Sequence, residues 1–251
     1  MRTKSMPRTH SSLPRLFVEP SLARGEPLAL DRDQSNYLGA VLRMPTGGEV
    51  IVFNGRDGAW LARIANPNKK AVVLELIEQA APQSPPSDLW YGFAPLKSAR
   101  LDYVVQKATE MGAGAIQPVI TRFTQVHRIN AEKLRANVIE AAEQCEVLTV
   151  PEVMADIALD KLVASWDPAR ALVFADEGQA SASPIEALRA LAGRPVGLLV
   201  GPEGGFAPEE REKLLAQAFT VPISLGPRIL RADTAAVAAL AVIQATIGDW
   251  R

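Results

Sequence analysis

The alternation of apolar and polar residues divides the chain into two parts. Up to Ile77 the apolar runs are short and bounded by turns, which predicts a group of strands with one short helix. From Asp88 onward, strands alternate with longer helices, which predicts an α/β domain with a mostly parallel sheet. Ala80–Ser87, rich in proline and serine, separates the two patterns and is typical of a linker.

The first part is predicted to be a small β-rich module, most simply a barrel. Asp33–Leu42 has the spacing of a helix, with Tyr37, Leu38, Val41 and Leu42 on its apolar face. Gly55–Gly58 is predicted to be a tight hairpin turn. The predicted strands are Pro14–Val18, Glu49–Asn54, Ala59–Ile64 and Ala71–Ile77.

The second part is predicted to contain five strands and five helices. Asn130 is expected to cap a helix that runs to about Glu146, with Cys145 facing inward. Ser183 and Pro184 are expected to open another helix. The remaining predicted helices are Ala99–Met111, Pro208–Ala218 and Asp233–Ile247. The predicted strands are Leu89–Ala94, Ala115–Ile120, Ala171–Ala175, Val196–Val200 and Ile223–Leu225.

A glycine-rich loop follows the strand Val196–Val200. Gly201-Pro-Glu-Gly-Gly205 either forms an ordinary strand-to-helix turn or lets the backbone approach a ligand closely. The loop matches neither phosphate-binding motif, and Glu203, Glu209 and Glu210 crowd it with negative charge. We therefore expect a neutral or cationic ligand here rather than a nucleotide phosphate.

Two further glycine-bearing loops follow parallel strands of the same sheet. They are 175–178 and 226–234, and the carboxyl ends of parallel strands share one edge. The three loops are therefore predicted to form one pocket.

Composition and charge narrow the possible functions. The 251 residues include one cysteine, Cys145, and two histidines, His10 and His127, so neither a disulfide framework nor a metal site is expected. His127 is expected at the surface. No apolar run is long enough to span a membrane, and a cytoplasmic location is the prediction.

The charge is distributed unevenly along the chain. Residues 1–70 contain eleven basic and six acidic side chains, a net charge of +5, whereas the whole chain carries −1. A basic module of this kind suits a polyanion such as RNA, although scattered surface charge would give the same count. The basic residues 1–12 are predicted to be a flexible tail, with an organelle-targeting segment as the alternative.

Two C-terminal motifs resemble those of a known enzyme family. Leu199–Phe206 reads Leu-Val-Gly-Pro-Glu-Gly-Gly-Phe, and Leu225–Ala235 reads Leu-Gly-Pro-Arg-Ile-Leu-Arg-Ala-Asp-Thr-Ala. Together they resemble the RsmE family of 16S ribosomal RNA uridine-N3 methyltransferases, which belongs to the SPOUT superfamily. Shorter similarities extend over nearly the whole chain, at Pro14–Phe17, Val41–Arg43, Phe53–Arg56, Lys97–Arg100, Gln106–Gly112, Glu140–Gln144 and Val150–Val153.

The resemblance implies a fold, a cofactor and partners. The fold would be a PUA-like RNA-binding barrel over residues 13–80 and a knotted SPOUT α/β methyltransferase domain over residues 88–251. The cofactor would be S-adenosylmethionine (SAM), whose cationic sulfonium and lack of phosphate agree with the glutamate-edged loop. The partners would be 16S rRNA in the 30S ribosomal subunit and a second copy of the chain, forming a homodimer.

The resemblance also implies roles for individual residues. Arg231 would stabilise negative charge on the uridine, and Asp233 would act as base or orient Arg231, unless Asp233 only caps the last helix. Candidate RNA contacts are Arg15, Arg43, Arg56, Lys97, Arg100 and Arg228. Candidate cofactor-binding residues are Leu199, Gly201, Pro202, Glu203, Gly204, Gly205, Leu225, Gly226, Ile229, Leu230 and Thr234.

The chain departs from the family pattern at four positions. Ala207 stands where Ser or Thr usually caps the next helix, and Asp233 stands where Glu is usual. Val147 replaces a common basic residue, and Pro227 precedes Arg228. Two other functions are carried as alternatives: methylation of another RNA position by a SPOUT enzyme, and RNA binding by a non-catalytic ribosome assembly factor.

Overall fold

The computed structural model describes residues 12–68, 70–126, 128–176, 178 and 183–250. The predicted tail and both histidines lie outside these residues, except for Ser12. The chain forms two compact units. The first contains the described residues up to Pro86 together with Ala142–Val150, and the second contains Ser87–Ala141 and the residues from Pro151 onward.

The first unit is built on a five-stranded sheet with the order β1-β3-β4-β5-β2. β1 and β3 are parallel, and the other pairs are antiparallel. Breaks in register between β4 and β5 mark bulges, which curl a sheet. The strands are β1 (Arg15–Phe17), β2 (Pro27–Ala29), β3 (Glu49–Phe53), β4 (Ala59–Asn66) and β5 (Val73–Ala81). The predicted β-rich module is confirmed, and β2, too short to show a pattern, was missed.

The predicted helix of the first unit has a different shape from an ordinary α-helix. Helix α1 (Arg32–Asn36) continues into a π-helical turn over Tyr37–Val41. The wider turn breaks the 3.6-residue period, so Leu38 is buried whereas Val41 is 62% exposed. The four apolar residues were predicted to share one face of the helix, but only Leu38 is buried, and Tyr37, Val41 and Leu42 are exposed.

The second unit contains a parallel sheet with the order β12-β10-β11-β6-β7-β8, and β9 pairs with β7. This confirms the predicted α/β class. β11 lies between β6 and β10, both of which precede it in the chain. The strands are β6 (Trp90–Phe93), β7 (Ala115–Ile120), β8 (Glu152–Val153), β9 (Ile157–Ala158), β10 (Ala171–Ala175), β11 (Val196–Val200) and β12 (Thr220–Ile223).

The helices of the second unit are α2 (Ser98–Glu110), α3 (Ala131–Gln144), α4 (Leu159–Ser165), α5 (Pro184–Arg189), α6 (Pro208–Leu215) and α7 (Ala232–Thr246). α3 continues into the first unit at Ala142. One core cluster joins Leu162 of α4 and Leu214 of α6 to Leu172 and Phe174 of β10. α7 packs against α2, α5 and β11.

Several predicted boundaries and caps differ from the structure. The Asn130 carboxamide accepts the Lys133 N–H at 3.0 Å, which confirms the cap of α3. That helix ends at Gln144, and Cys145 is exposed rather than inward because it lies beyond the last helical turn. Ser183 makes no side-chain cap hydrogen bond to α5. β12 ends at Ile223, so Ser224 and Leu225 belong to the following loop.

Candidate functional site

Three loops meet at one edge of the parallel sheet because β12, β10 and β11 are neighbours. Their carboxyl ends point the same way, so the loops that follow them converge. They enclose a pocket of about 660 Å³, a size usual for a small-molecule site. The apolar part of its wall is formed by Phe174, Val200 and Phe206. The first turn of α7 contributes Ala232 and Ala235.

Most of the candidate cofactor-binding residues predicted from the sequence lie at this pocket. Leu199 does not, because it is buried in the core under α4 and α6. Gly204 faces Phe123 of a neighbouring loop, and Thr234 is exposed on α7. The nominated residues that line the pocket are Gly201, Pro202, Glu203, Gly205, Leu225, Gly226, Ile229 and Leu230.

The glycine-rich loop after β11 folds as a tight turn against an aromatic ring. Gly205 has a φ of +71°, and its N–H donates to the Pro202 carbonyl at 2.9 Å. A Cβ at Gly201 would lie 2.5 Å from the Phe206 ring. The Phe206 ring meets the Phe174 ring edge-on at 5.0 Å between centroids. Gly201 is therefore required by packing at the pocket wall.

Glu210 replaces part of the cap that Ala207 cannot provide. Its Oε2 accepts the Ala207 N–H at 3.0 Å, and its Oε1 accepts the Arg122 N–H at 2.8 Å. One carboxylate oxygen therefore holds the backbone at the start of α6, and the other holds the loop that follows β7. Of the three glutamates near the loop, only Glu203 lines the pocket, which corrects the expectation that all three crowd the ligand.

The pocket carries charges of both signs rather than negative charge alone. Glu203 forms an ion pair with Arg100 of α2, so this RNA-contact candidate is held against the glycine loop. Arg228 is exposed at the pocket, next to Ile229, which is 86% exposed. Lys97 is exposed immediately before α2 and does not line the pocket.

The loop after β12 leads directly into α7 and positions the two catalytic candidates. Gly226 has a φ of +103°, which favours glycine there. Arg231 is the N-cap residue of α7; its carbonyl accepts the Ala235 N–H at 2.8 Å and its side chain is exposed. Asp233 lies in the first turn, where its Oδ1 accepts the Thr234 N–H at 2.8 Å. Neither side chain lines the pocket, although Leu230 and Ala232 beside them do.

Tyr91 of β6 lies close to this region and was not nominated from the sequence. It is fully buried and stacks on Phe93 with ring centroids 5.5 Å apart. Burial raises the pKa of its hydroxyl, and the negative charge of Asp233 raises it further. Tyr91 therefore stays protonated near neutral pH and is not a candidate base.

An ion pair between a buried carboxylate and a partly exposed arginine at the pocket also escaped the sequence analysis. The Asp176 side chain, 4% exposed, binds Arg211 of α6, with Nη2 to Oδ2 at 2.8 Å and Nε to both oxygens at 3.0–3.1 Å. The hydrogen bond from Arg211 to Asp176 raises the pKa of the guanidinium. Both residues line the pocket. Asp176 belongs to the loop 175–178, which was predicted to line the pocket. Nothing in the sequence indicated that it would pair with Arg211.

The three nominated arginines of the first unit differ in exposure. Arg15 is only 9% exposed, and its guanidinium lies 5.3 Å from the centre of the Phe53 ring. Burial lowers its pKa, against the opposing effect of Glu146 and Glu143. This placement leaves little surface for a phosphate contact, so Arg15 is not included in the RNA interface proposed below. Arg43 is exposed with a φ of +52°, and Arg56 is exposed with its Nη2 donating to the Glu19 carbonyl at 2.7 Å.

In the described part of the chain, no three His, Cys, Asp or Glu side chains are grouped so that they could hold a metal ion. No described helix has both the length and the apolar character needed to cross a membrane.

Two family models match the chain, and together they identify an RNA methyltransferase with a PUA module. The model of an RNA methyltransferase domain matches residues 83–244, and the model of an RNA methyltransferase PUA domain matches residues 30–77. The chain is 33% identical over 232 residues to ribosomal RNA small subunit methyltransferase E of Rickettsia conorii, with 92% of this chain and 94% of the relative covered.

Solved structures agree with these matches. Ribosomal RNA small subunit methyltransferase E from Neisseria gonorrhoeae, bound to SAM, has a TM-score of 0.82 at 26% identity, with 95% of this chain and 100% of that chain covered. A Legionella pneumophila protein in complex with bound SAM has a TM-score of 0.81 at 30% identity, covering 93% and 97%. The chain belongs to the ribosomal RNA small subunit methyltransferase E family.

Proposed function

We propose that this protein transfers a methyl group from SAM to N3 of a uridine in the 16S rRNA of the small ribosomal subunit. The observation that carries the proposal is the pocket between the loops after β11 and β12, which contain the two family motifs. Relatives that bind SAM in the same overall fold support the choice of cofactor.

The pocket has the chemistry that SAM requires. Gly201 and Gly226 lie at its wall and leave main-chain groups accessible, as a ligand held by backbone contacts needs. Phe174 and Phe206 offer an apolar surface for the adenosine. Carboxylates and guanidiniums both line the pocket, which suits a ligand that carries both signs of charge. When bound, SAM supplies the electrophilic methyl group.

The protein must handle the proton on N3, because this nitrogen is protonated at neutral pH. Arg231 is proposed to stabilise negative charge that develops on the base. Asp233, two residues along, is proposed to accept the proton or to orient Arg231. Holding N3 in line with the methyl group is the remaining task, and exposed groups beside the pocket such as Arg228 are proposed to take part.

Methyl transfer to intact particles tests this function. The purified protein, labelled SAM and small ribosomal subunits that lack the modification are incubated, and the nucleosides are analysed by mass spectrometry. We expect 3-methyluridine at one position. A different methylated nucleoside would indicate a SPOUT enzyme of other specificity, and tight particle binding without transfer would indicate an assembly factor.

Replacing Asp233 with asparagine is expected to lower methyl transfer at least tenfold without loss of stability. The amide oxygen keeps the hydrogen bond to the Thr234 N–H and only the charge is removed. The measurements are kcat and the thermal midpoint. Asp160→Asn is the matched control, since Asp160 is exposed in the first turn of α4. Full activity in Asp233→Asn would leave Asp233 with a structural role only.

The first unit is proposed to bind RNA through phosphate contacts at Arg43 and Arg56. The affinity for the ribosomal particle should then fall steeply as salt rises. Replacing either arginine with alanine should reduce the magnitude of the slope by about one when the logarithm of the association constant is plotted against the logarithm of the salt concentration. Arg63→Ala is the control, because Arg63 is already paired with Glu49. An unchanged slope in both variants would remove these residues from the interface.

We further propose that the protein is a homodimer in which α7 lies in or near the interface. Its alanines allow close packing on more than one side, and Ala235, Ala238 and Ala241 are only partly buried within the chain. Light scattering at micromolar concentration should give twice the 27.0 kDa chain mass. A monomeric mass would contradict the proposal.

The knot and the cellular location remain part of the proposal. A knotted path in the second unit is proposed from the resemblance to the SPOUT superfamily. A cytoplasmic location follows from the proposed ribosomal substrate. The division into a barrel over 13–80 and a methyltransferase domain over 88–251 is proposed with the addition that residues 142–150 pack with the first unit.

A further inference from the structure

The ion pair between Asp176 and Arg211 is built into the wall of the pocket but has no part in the chemistry described above. Asp176 immediately follows β10 in the chain, and Arg211 lies in the first half of α6. Both Asp176 oxygens accept from Arg211, and Oδ1 also accepts the Gly178 N–H at 3.0 Å. A Cβ at Gly178 would stand 3.2 Å from Arg211 Nη2, so the loop backbone packs directly on the guanidinium.

Asp176 is poorly suited to bind a ligand itself. A carboxylate at the end of a parallel strand often accepts hydroxyl groups of a ribose. Here the side chain is 4% exposed, and its oxygens already accept from Arg211 and Gly178. What Asp176 does is fix the plane and position of the guanidinium.

Arg211 is well suited to bind an anion. A guanidinium has five N–H donors, and Asp176 occupies the Nε hydrogen and one on Nη2. Within the described residues Nη1 has no hydrogen-bond partner, and 36% of the side chain is exposed at the pocket. The remaining donors form a planar fork of the kind that carboxylates match, and the fork is already oriented before a ligand arrives.

We propose that Arg211, positioned by Asp176, binds the carboxylate of the methionine moiety of SAM. This inference rests on the proposed function. The other described charges on the pocket wall favour this assignment, since Glu203 is paired with Arg100 and repels a carboxylate, whereas Arg228 lies on an exposed loop.

The test compares SAM with its decarboxylated analogue, in which hydrogen replaces the carboxylate, by calorimetry. The wild type should bind the analogue about 10- to 100-fold more weakly than SAM, as expected for the loss of a charge-assisted contact. Arg211→Met should weaken the binding of SAM by a similar factor and leave the affinity for the analogue nearly unchanged. Arg194→Met, at an exposed arginine that does not line the pocket, should bind both ligands like the wild type.

A double variant guards against misfolding, because Arg211→Met leaves the Asp176 carboxylate buried without its cation. Asp176→Asn combined with Arg211→Met removes both charges and should show the same loss of discrimination between the two ligands. Equal affinity of the wild type for both ligands, or an unchanged preference in both variants, would overturn the inference. If the wild type bound neither ligand, the proposed function would fail instead.

Discussion

Replacing Arg231 with alanine should lower kcat by about 10²–10³-fold and leave the affinity for SAM close to that of the wild type. This is the loss usual when one donor that stabilises a developing negative charge is removed. The variant should change the rate of methyl transfer without changing stability, because Arg231 caps α7 through its main-chain carbonyl, which alanine keeps. The exposed side chain is not part of the pocket wall, so SAM affinity should not depend on it.

The experiment measures single-turnover methyl transfer and SAM affinity on the same preparations. Arg189→Ala is the matched control, since Arg189 is exposed on α5 and does not line the pocket. Arg231→Lys should recover part of the rate because it restores the charge without the planar fork. A variant with wild-type kcat would place the stabilising charge elsewhere, with Arg228 as the next residue to test.

Replacing Gly201 with alanine should weaken SAM binding by roughly tenfold to a hundredfold, the range expected when a methyl group is forced into a packed site. The new Cβ would lie 2.5 Å from the Phe206 ring. That ring cannot move freely, because it packs edge-on against Phe174 and belongs to the same apolar cluster. The strain therefore reaches the pocket wall.

Gly204→Ala provides the contrast within the same loop. Its Cβ would meet nothing closer than 3.5 Å, at Phe123, so its effect on SAM affinity should be much smaller. Adding Phe206→Leu to Gly201→Ala should restore part of the affinity by making room for the methyl group. Calorimetry on the four proteins distinguishes these outcomes, and equal affinity of Gly201→Ala and the wild type would contradict the argument.

The sequence predicted the strands and helices that carry strong patterns. The predicted bounds of β7, β10 and β11 match the structure, because each is a short, mostly apolar run between turns. β8, β9 and α4 were missed, since strands of two residues and a helix of seven show too little periodicity. The predicted single apolar face of the first helix fails at Val41 for a different reason, because a π-helical turn changes the period locally.

The position of the pocket was predicted from the sequence, but the pairing of its charged side chains was not. Three glycine loops after neighbouring parallel strands do converge, because strand order and direction determine where their ends lie. The partners of the charged side chains depend on tertiary contacts. Glu210 holds backbone and Glu203 pairs with Arg100, whereas their spacing in sequence suggested free carboxylates. The burial of Arg15 could not be predicted for the same reason, because its position in a basic segment of the sequence suggested an exposed side chain.

The position of β11 determines when in folding the pocket can exist. A strand that lies between two earlier strands completes the middle of the sheet only after residues about 100 positions apart in sequence have been brought together. Contacts of such wide separation close slowly, because the chain loses loop entropy before it gains them. The glycine loop, attached to the end of β11, therefore reaches its final shape late. A cofactor that binds only this finished arrangement would stabilise the last step of folding and none of the earlier ones.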